Sequence, residues 1–164
     1  MTDNSLEHSS AAVVDEIGLH MAAAGGIDRA AVPLGLFLAW LVNLDLVSRA
    51  FARQHEKALL RVKYRELSGS ELLVSACAGR LYWEDLNERG RGFVETFYPN
   101  YWETFVSTFE TQGSDAYLIA DNWENYDRIS RVLTAQLMGA AEAQRQATAG
   151  QGERKHAKRW WSPW

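Results

Sequence analysis

The sequence has little cysteine, proline or histidine and no long hydrophobic run. Its single cysteine, Cys77, excludes an internal disulfide and is typical of a reducing compartment. The most apolar stretch, residues 30–42, covers 13 positions. A membrane-spanning helix needs about 20 apolar residues, so this stretch predicts a buried helix instead. The first residues lack the basic and apolar regions of a secretory signal, and the sequence therefore predicts a cytoplasmic protein.

Motifs for catalysis and metal binding are also missing. The four histidines lack metal-ligand spacing, and we interpret His20 and His55 as structural residues on helix faces. No nucleophile elbow, phosphate-binding loop or dinucleotide-binding turn occurs. Glu84 and Glu88 would share a helix face, but they have no histidine partner for acid–base catalysis. We therefore expect a protein that is not an enzyme and holds no cofactor or metal.

Helical periodicity is the main signal that is present. The 164 residues, 47% of them apolar, suffice for one globular domain without disulfides. Apolar side chains recur at helical spacing almost throughout, and only residues 117–120 form a short candidate strand. A helix starting near Pro33 is apolar on every side and should be central. The sequence predicts an all-α domain of six or seven helices over residues 1–147, followed by a basic, tryptophan-rich tail over residues 148–164.

Capping residues predict several helix boundaries. Ser9 or Ser10 is expected to start a first helix that includes residues 13–24. Ser48 is expected to cap a third helix that ends near Leu67.

Two further starts have the spacing of a capping box. In the first, Ser68 is followed three residues later by Glu71, and in the second, Asp121 is followed by Glu124. Pro99 should break the helix that begins near Glu84.

Acidic and aromatic residues are concentrated in residues 82–127. This range contains ten acidic and two basic residues, a local net charge of −8, and 12 of the 19 aromatic residues. Rings at helical spacing usually form a core, so we expect most of these rings to be buried. The carboxylates among them complement a basic cleft on a protein partner, and tryptophan is a common interface anchor. The candidate binding residues are Glu95, Glu103, Glu110, Asp115, Asp121, Trp123, Glu124 and Asp127.

A different interpretation applies to some of these acids. Asp121 and Glu124, like Glu84 and Asp85, could simply stabilise helix N-termini. The sequence leaves this choice open.

Basic residues are concentrated on the third predicted helix and in the tail. Intervals of four residues separate the members of a basic ridge, which are Arg49, Arg53, Lys57, Arg61 and Arg65. The simplest interpretation is a solvated helix face that pairs with the acidic range. Alternatively, the ridge and tail bind anionic partners such as nucleic acid or lipid. The overall net charge of −4 makes nucleic acid the less favoured partner.

Five strings occur in order along residues 34–137. They are GLFLAW at residues 35–40, NLDLVS at 43–48, LSGSELL at 67–73, EDLN at 84–87 and WENYDRI at 123–129. Together they resemble an uncharacterised bacterial family known only as a domain of unknown function. The positions that the resemblance picks out are Trp40, Glu84, Asp85, Asn87, Trp123, Glu124, Tyr126 and Asp127.

The family in turn is similar, in size and acidic helical character, to immunity proteins of secreted polymorphic toxins. This similarity implies a protein that binds and neutralises a cognate toxin, such as a type VI secretion effector. It specifies neither the toxin nor the oligomeric state.

Overall fold

The computed structural model describes residues 12–159, with side chains described for residues 12–151. Within this range the chain has eight α-helices and one two-stranded sheet, so the predicted helical class is confirmed. The chain divides into two compact units, Met1–Ser130 and Arg131–Trp164. Ser9, Ser10 and the last five residues of the predicted tail lie outside the described residues. The division at residue 147 stays a prediction.

The elements follow one another closely along the chain. The helices are α1 (Met21–Ala24), α2 (Ile27–Asn43), α3 (Arg49–Gln54), α4 (Glu56–Lys63), α5 (Gly69–Ser75), α6 (Glu88–Phe97), α7 (Tyr101–Thr108) and α8 (Trp123–Arg159). The strands are β1 (Val13–Glu16) and β2 (Arg80–Tyr82), which pair antiparallel. Short 3-10 turns lie at Ile17–Leu19, Trp83–Asp85, Tyr98–Asn100 and Gly113–Leu118.

The predicted first helix is wrong over most of its length. Residues 13–16 form β1, and only the four residues of α1 are α-helical. Glu16 lies opposite Arg80 in the sheet, and the Ile17 N–H donates to the Gly79 carbonyl at 2.9 Å. Pairing with this distant segment satisfies the backbone and overrides the local helical spacing.

The candidate strand at residues 117–120 is also wrong. Residues 113–118 form a 3-10 turn, and the Ile119 N–H donates locally to the Ala116 carbonyl.

Helix α2 is the predicted central helix. It begins at Ile27 rather than near Pro33, and every residue from 30 to 42 is buried. The Trp40 ring lies 4.6 Å from the Phe93 ring of α6, and Phe37 also contacts Phe93 at 6.3 Å between ring centroids. A buried side chain of this size contributes about 1.5–3 kcal/mol through the hydrophobic effect. These ring contacts pack α6 against the central helix α2.

The predicted third helix is divided into α3 and α4. Ser48 caps α3 as predicted, accepting from the Phe51 N–H at 3.1 Å. At His55 the backbone leaves the helical conformation, with φ −116° and ψ 20°, and a new helix begins. This break raises the number of helices in the described residues to eight, instead of the six or seven predicted. It also means that the basic ridge does not run along one continuous helix.

The predicted capping box at Ser68 is confirmed, with both reciprocal hydrogen bonds to Glu71 formed. The one predicted at Asp121 is wrong. Helix α8 is capped by Asn122, whose Oδ1 accepts from the Asn125 N–H at 2.8 Å.

Pro99 interrupts the chain between α6 and α7, as predicted. Glu84 and Asp85 lie in a 3-10 turn before α6 and not in its first turn. Asn87 caps α6 by accepting from the Gly90 N–H at 2.8 Å.

Candidate functional site

The predicted binding residues lie along the second half of the Met1–Ser130 unit. All are exposed except Trp123 and Asp127, which are half-buried. By element they are Glu95 on α6, Glu103 on α7, Glu110 and Asp115 between α7 and α8, Asp121 before α8, and Trp123, Glu124 and Asp127 on α8.

Arg65 brings part of this set to the loop between α4 and α5. Its Nη2 donates to Asp127 Oδ1 at 2.6 Å, and its guanidinium carbon lies 5.1 Å from the centre of the Trp123 ring. The hydrogen bonds to Asp127 raise the pKa of Arg65. In the same loop, the Ser68 hydroxyl donates to the Asp121 carboxylate at 2.8 Å.

Arg128, on the first turns of α8, contacts the end of α7. Its Nη2 donates to the Thr108 carbonyl at 2.9 Å, and its guanidinium lies 5.0 Å from the centre of the Phe109 ring. Glu110, the next residue after Phe109, is therefore beside the first turns of α8. We call the resulting group the acidic corner, which consists of Glu110, Asp121, Trp123, Glu124 and Asp127.

The other predicted residues are not drawn into the acidic corner. Within residues 12–151, no hydrogen bond or ion pair connects Glu95, Glu103 or Asp115 to it. Glu103 and Asp115 lie on elements that contact each other, because Trp102 on α7 packs against Tyr117 at 4.9 Å.

The expected pairing between the basic ridge and the acidic range is wrong for most of the ridge. Among the residues described, only Arg65 pairs with that range. Lys63, which is not a ridge member, pairs with Asp45. The ridge side chains lie in solvent, and the break at His55 divides the first four of them between α3 and α4. The exposed ridge residues without an ion pair are Arg49, Arg53, Lys57 and Arg61.

The expectation that the rings form the core is confirmed. None of the 12 aromatic side chains in residues 82–127 is exposed, and six are fully buried. The buried ones are Phe93, Tyr101, Phe105, Phe109, Tyr117 and Tyr126.

A second site, which the sequence did not predict, forms around His20. Its Nε2 lies 3.0 Å from Asp15 Oδ1, and its Nδ1 lies 2.7 Å from the Tyr117 hydroxyl. Tyr98 donates a short hydrogen bond to the other Asp15 oxygen. The His20 ring also stacks on Trp102, at 6.3 Å and an interplanar angle of 25°. These five residues form what we call the histidine cluster.

The ionisable groups of the histidine cluster stabilise one another. Burial raises the pKa of Asp15, but hydrogen bonds from His20 and Tyr98 outweigh burial, and the net shift is downward. The hydrogen bond to Asp15 outweighs burial at His20 and raises the pKa of the imidazole. Burial and the Asp15 charge raise the pKa of Tyr98 and of Tyr117. The raised pKa of His20 and the lowered pKa of Asp15 both favour the charged pair.

A cavity of about 80 Å³ opens beside the histidine cluster. Aromatic, proline and cluster side chains line it: Asp15, His20, Pro33, Tyr98, Pro99, Tyr101 and Trp102. Interpreting His20 as a helix-face residue was wrong, because the first helix does not form and residue 20 lies between a 3-10 turn and α1. No local spacing signals this site, since its hydrogen-bonded members His20 and Tyr117 are 97 positions apart.

Comparison with known proteins assigns a family. The family model described as Domain of unknown function (DUF7832) matches residues 14–119, more than half of the chain. The chain belongs to the DUF7832 family. No curated protein and no solved structure gives a significant match.

The DUF7832 match covers the two sites unequally. The matched range begins before the first of the five strings and ends before the last one, so it leaves out the string at residues 123–129. The whole histidine cluster lies within the matched residues. Of the acidic corner, only Glu110 does, so the corner is chiefly a feature of the region beyond the family match.

Two features are absent from the described part of this DUF7832 chain. No helix there combines the length and apolar character needed to cross a membrane. No group of three or more His, Cys, Asp or Glu side chains is arranged to hold a metal ion.

Proposed function

We propose that this protein is an immunity protein that binds and neutralises a cognate bacterial toxin through the acidic corner. One observation carries the proposal. Glu110, Asp121 and Glu124 are exposed and make no ion pair among residues 12–151, although exposed cations occur elsewhere on the same unit. Unpaired carboxylates around a half-buried tryptophan complement a basic active-site cleft.

The corner has a fixed framework for such contacts. Arg65 and Arg128 hold the first turns of α8 against two neighbouring segments, so little ordering is needed on binding. Asp127 pairs with Arg65, whereas Glu110, Asp121 and Glu124 make no ion pair among the described side chains. Their combined field would raise the association rate with a cationic surface.

The test uses the protein encoded next to this chain's gene. Cells that express this neighbouring gene product (the neighbour) alone should die, and cells that express both proteins should survive. We expect the double variant Glu110→Lys and Glu124→Lys to abolish protection and to weaken the complex at least 100-fold, because reversed charges repel the cleft. Isothermal titration with the purified pair measures the affinity.

A matched control comes from the predicted residues outside the corner. Glu95→Lys is also an exposed carboxylate reversal, on α6, and should keep protection and affinity within about threefold. Survival of cells that express the neighbour alone would overturn the toxin assignment. Equal losses for both charge reversals would overturn the acidic corner as the contact surface.

The four ridge residues without an ion pair, Arg49, Arg53, Lys57 and Arg61, favour a second candidate function, binding of an anionic partner. Successive cations are four residues apart, which corresponds to about 6 Å along the helix axis where the chain is helical. If the ridge binds RNA, DNA or anionic lipid, affinity falls steeply with salt, and Arg53→Glu with Arg61→Glu abolishes it. The same pair of substitutions leaves toxin neutralisation unchanged, which separates the two functions.

A further inference from the structure

The cavity beside the histidine cluster has the composition of an aromatic cage. Tyr98, Tyr101 and Trp102 supply three electron-rich rings, and Asp15 supplies a carboxylate. Tyr98 and Tyr101 stack at 5.3 Å, with their planes 14° apart, and Trp102 is fixed by Tyr117. Rings of this kind attract cations, best when the cation is poorly hydrated.

The polar groups that line the cavity are already hydrogen-bonded to the protein. Tyr98 and His20 both bind Asp15, and the buried Tyr101 hydroxyl donates to the Pro33 carbonyl at 2.6 Å. A sugar, an amide or a primary ammonium would lose hydrogen bonds to water on entering and find few in return. A trimethylated ammonium ion has no N–H donor, so it gives up no hydrogen bonds to water, and the rings and the Asp15 charge offset its desolvation.

The cavity size fits the same class of ligand. Its volume of about 80 Å³ is more than one water occupies but less than the 150 Å³ that accommodates benzene. A group of four or five heavy atoms, such as a trimethylammonium head, is the right order of size. Pro99 is exposed, and Trp102 and His20 are half-buried, so the cavity can be reached from solvent.

We propose that this cavity binds a small methylated ammonium group, held by the rings of Tyr98, Tyr101 and Trp102 and by the charge of Asp15. The group could belong to a free compound such as choline or to a methylated lysine side chain, and both share the same chemistry. This site is separate from the acidic corner and does not depend on the proposed immunity function.

His20 allows the cluster to accept a positive charge without losing a hydrogen bond. When neutral, its Nε2–H still donates to Asp15, and its Nδ1 accepts from the Tyr117 hydroxyl. Around the ring, β1 contributes Asp15 and the turns flanking α7 contribute Tyr98 and Tyr117, while α1 has no ionisable side chain. A bound cation therefore takes the place of the positive charge that protonated His20 provides beside Asp15. The affinity for the cation should increase as pH rises and His20 loses its proton.

The test titrates the full chain with tetramethylammonium, choline and a short trimethyl-lysine peptide, followed by NMR shifts of the Trp102 indole. We expect saturable binding with a dissociation constant on the order of 1 mM for at least one of them. The neutral isostere 3,3-dimethylbutanol should bind at least tenfold more weakly, because it has the same shape but no charge. Binding of choline alone assigns a free ligand, and binding of the peptide assigns a protein tail.

Two variants locate the site. Asp15→Asn keeps the shape and removes the charge, so cation affinity should fall about tenfold while affinity for the isostere stays constant. Trp102→Leu, titrated with the shifts of the His20 ring as the probe, should lower the cation affinity by a similar factor, and Trp123→Leu, a half-buried tryptophan in the acidic corner, should leave it unchanged. Equal binding of cation and isostere, or no saturable binding of any probe to the folded wild-type chain, would overturn the proposal.

Discussion

Gly69 at the start of α5 lies directly against the backbone carbonyl of Gly35 in the middle of α2. A Cβ atom on Gly69 would overlap the Gly35 oxygen, and one on Gly35 would overlap the Ser70 backbone. The two helices therefore approach more closely than any side chain would allow. This contact places α5, and with it the Ser68 loop, on the buried central helix.

The first prediction concerns this approach. Gly69→Ala should lower the free energy of unfolding by about 1–3 kcal/mol or more, because the methyl group forces α5 away from α2. Urea denaturation followed by circular dichroism measures the change. Gly92→Ala is the control, since a Cβ there meets nothing within 4 Å in the exposed middle of α6. It should stabilise the protein by roughly 0.5–1 kcal/mol, and a loss of stability there would contradict this account.

The second prediction concerns pH and the His20–Asp15 pair. The folded pKa of His20 is raised above 6.5, so its contribution to stability is full below that value and is lost as pH rises through the folded pKa. The folded pKa of Asp15 is lowered below 3.8, so its contribution is present above 3.8 and is lost as pH falls through the folded pKa. The pair thus stabilises the fold most between about pH 4 and 6.5.

His20→Gln should therefore lower the free energy of unfolding most in that pH range, by about 1–3 kcal/mol, and less at lower or higher pH. The measurement is urea denaturation of both proteins from pH 3 to pH 9. Since His55 shares the histidine chemistry but makes no ion pair among the described residues, His55→Gln serves as the control. A difference between wild type and His20→Gln that is constant across pH would refute the ion pair.

The third prediction concerns Ser68, which both caps α5 and donates to Asp121. Ser68→Ala should lower the free energy of unfolding by about 1–2 kcal/mol, because it leaves the Glu71 N–H without its cap. Thermal denaturation measures the effect. Ser75→Ala in the same helix removes only a bond to the Glu71 carbonyl, and its effect should be within about 0.5 kcal/mol. Equal effects would argue against the cap.

The fourth prediction concerns Cys77. Burial, followed by the nearby Asp85 charge, raises the pKa of this thiol to about 12. At pH 8 the folded protein should react with iodoacetamide roughly 10³-fold more slowly than the protein in urea, because the thiolate is the reacting species. Mass spectrometry of timed samples gives both rates. Similar rates in the two conditions would show that the thiol is accessible and unperturbed.

Much of the fold follows from short-range signals. The apolar run around Trp40 predicts the central helix, Ser48 and Ser68 predict two helix starts, and Pro99 predicts a break. Each depends on groups a few residues apart, so the chain carries them locally. The same signals fail at residues 13–16, where pairing with β2 is stronger than helical spacing.

The acidic corner was predicted in part, for a related reason. Charge accumulates along residues 82–127, which is visible in the sequence. The sequence does not show which acidic segments come together, because Arg65 connects the loop before α5 to α8 and Arg128 connects α8 to the end of α7. Glu95, similar in the sequence, is left out.

By itself the sequence determined the helical class, the central helix, the burial of the rings and the segregation of charge. Only the tertiary structure decided that His20, Asp15, Tyr98 and Tyr117 would meet around a cavity. Periodicity and capping act within a few residues along the chain, whereas these four side chains meet only after β1 has paired with β2 and α6 and α7 have packed on α2. Hydrogen bonds between distant residues leave no repeating pattern, and the fold has to form before they exist.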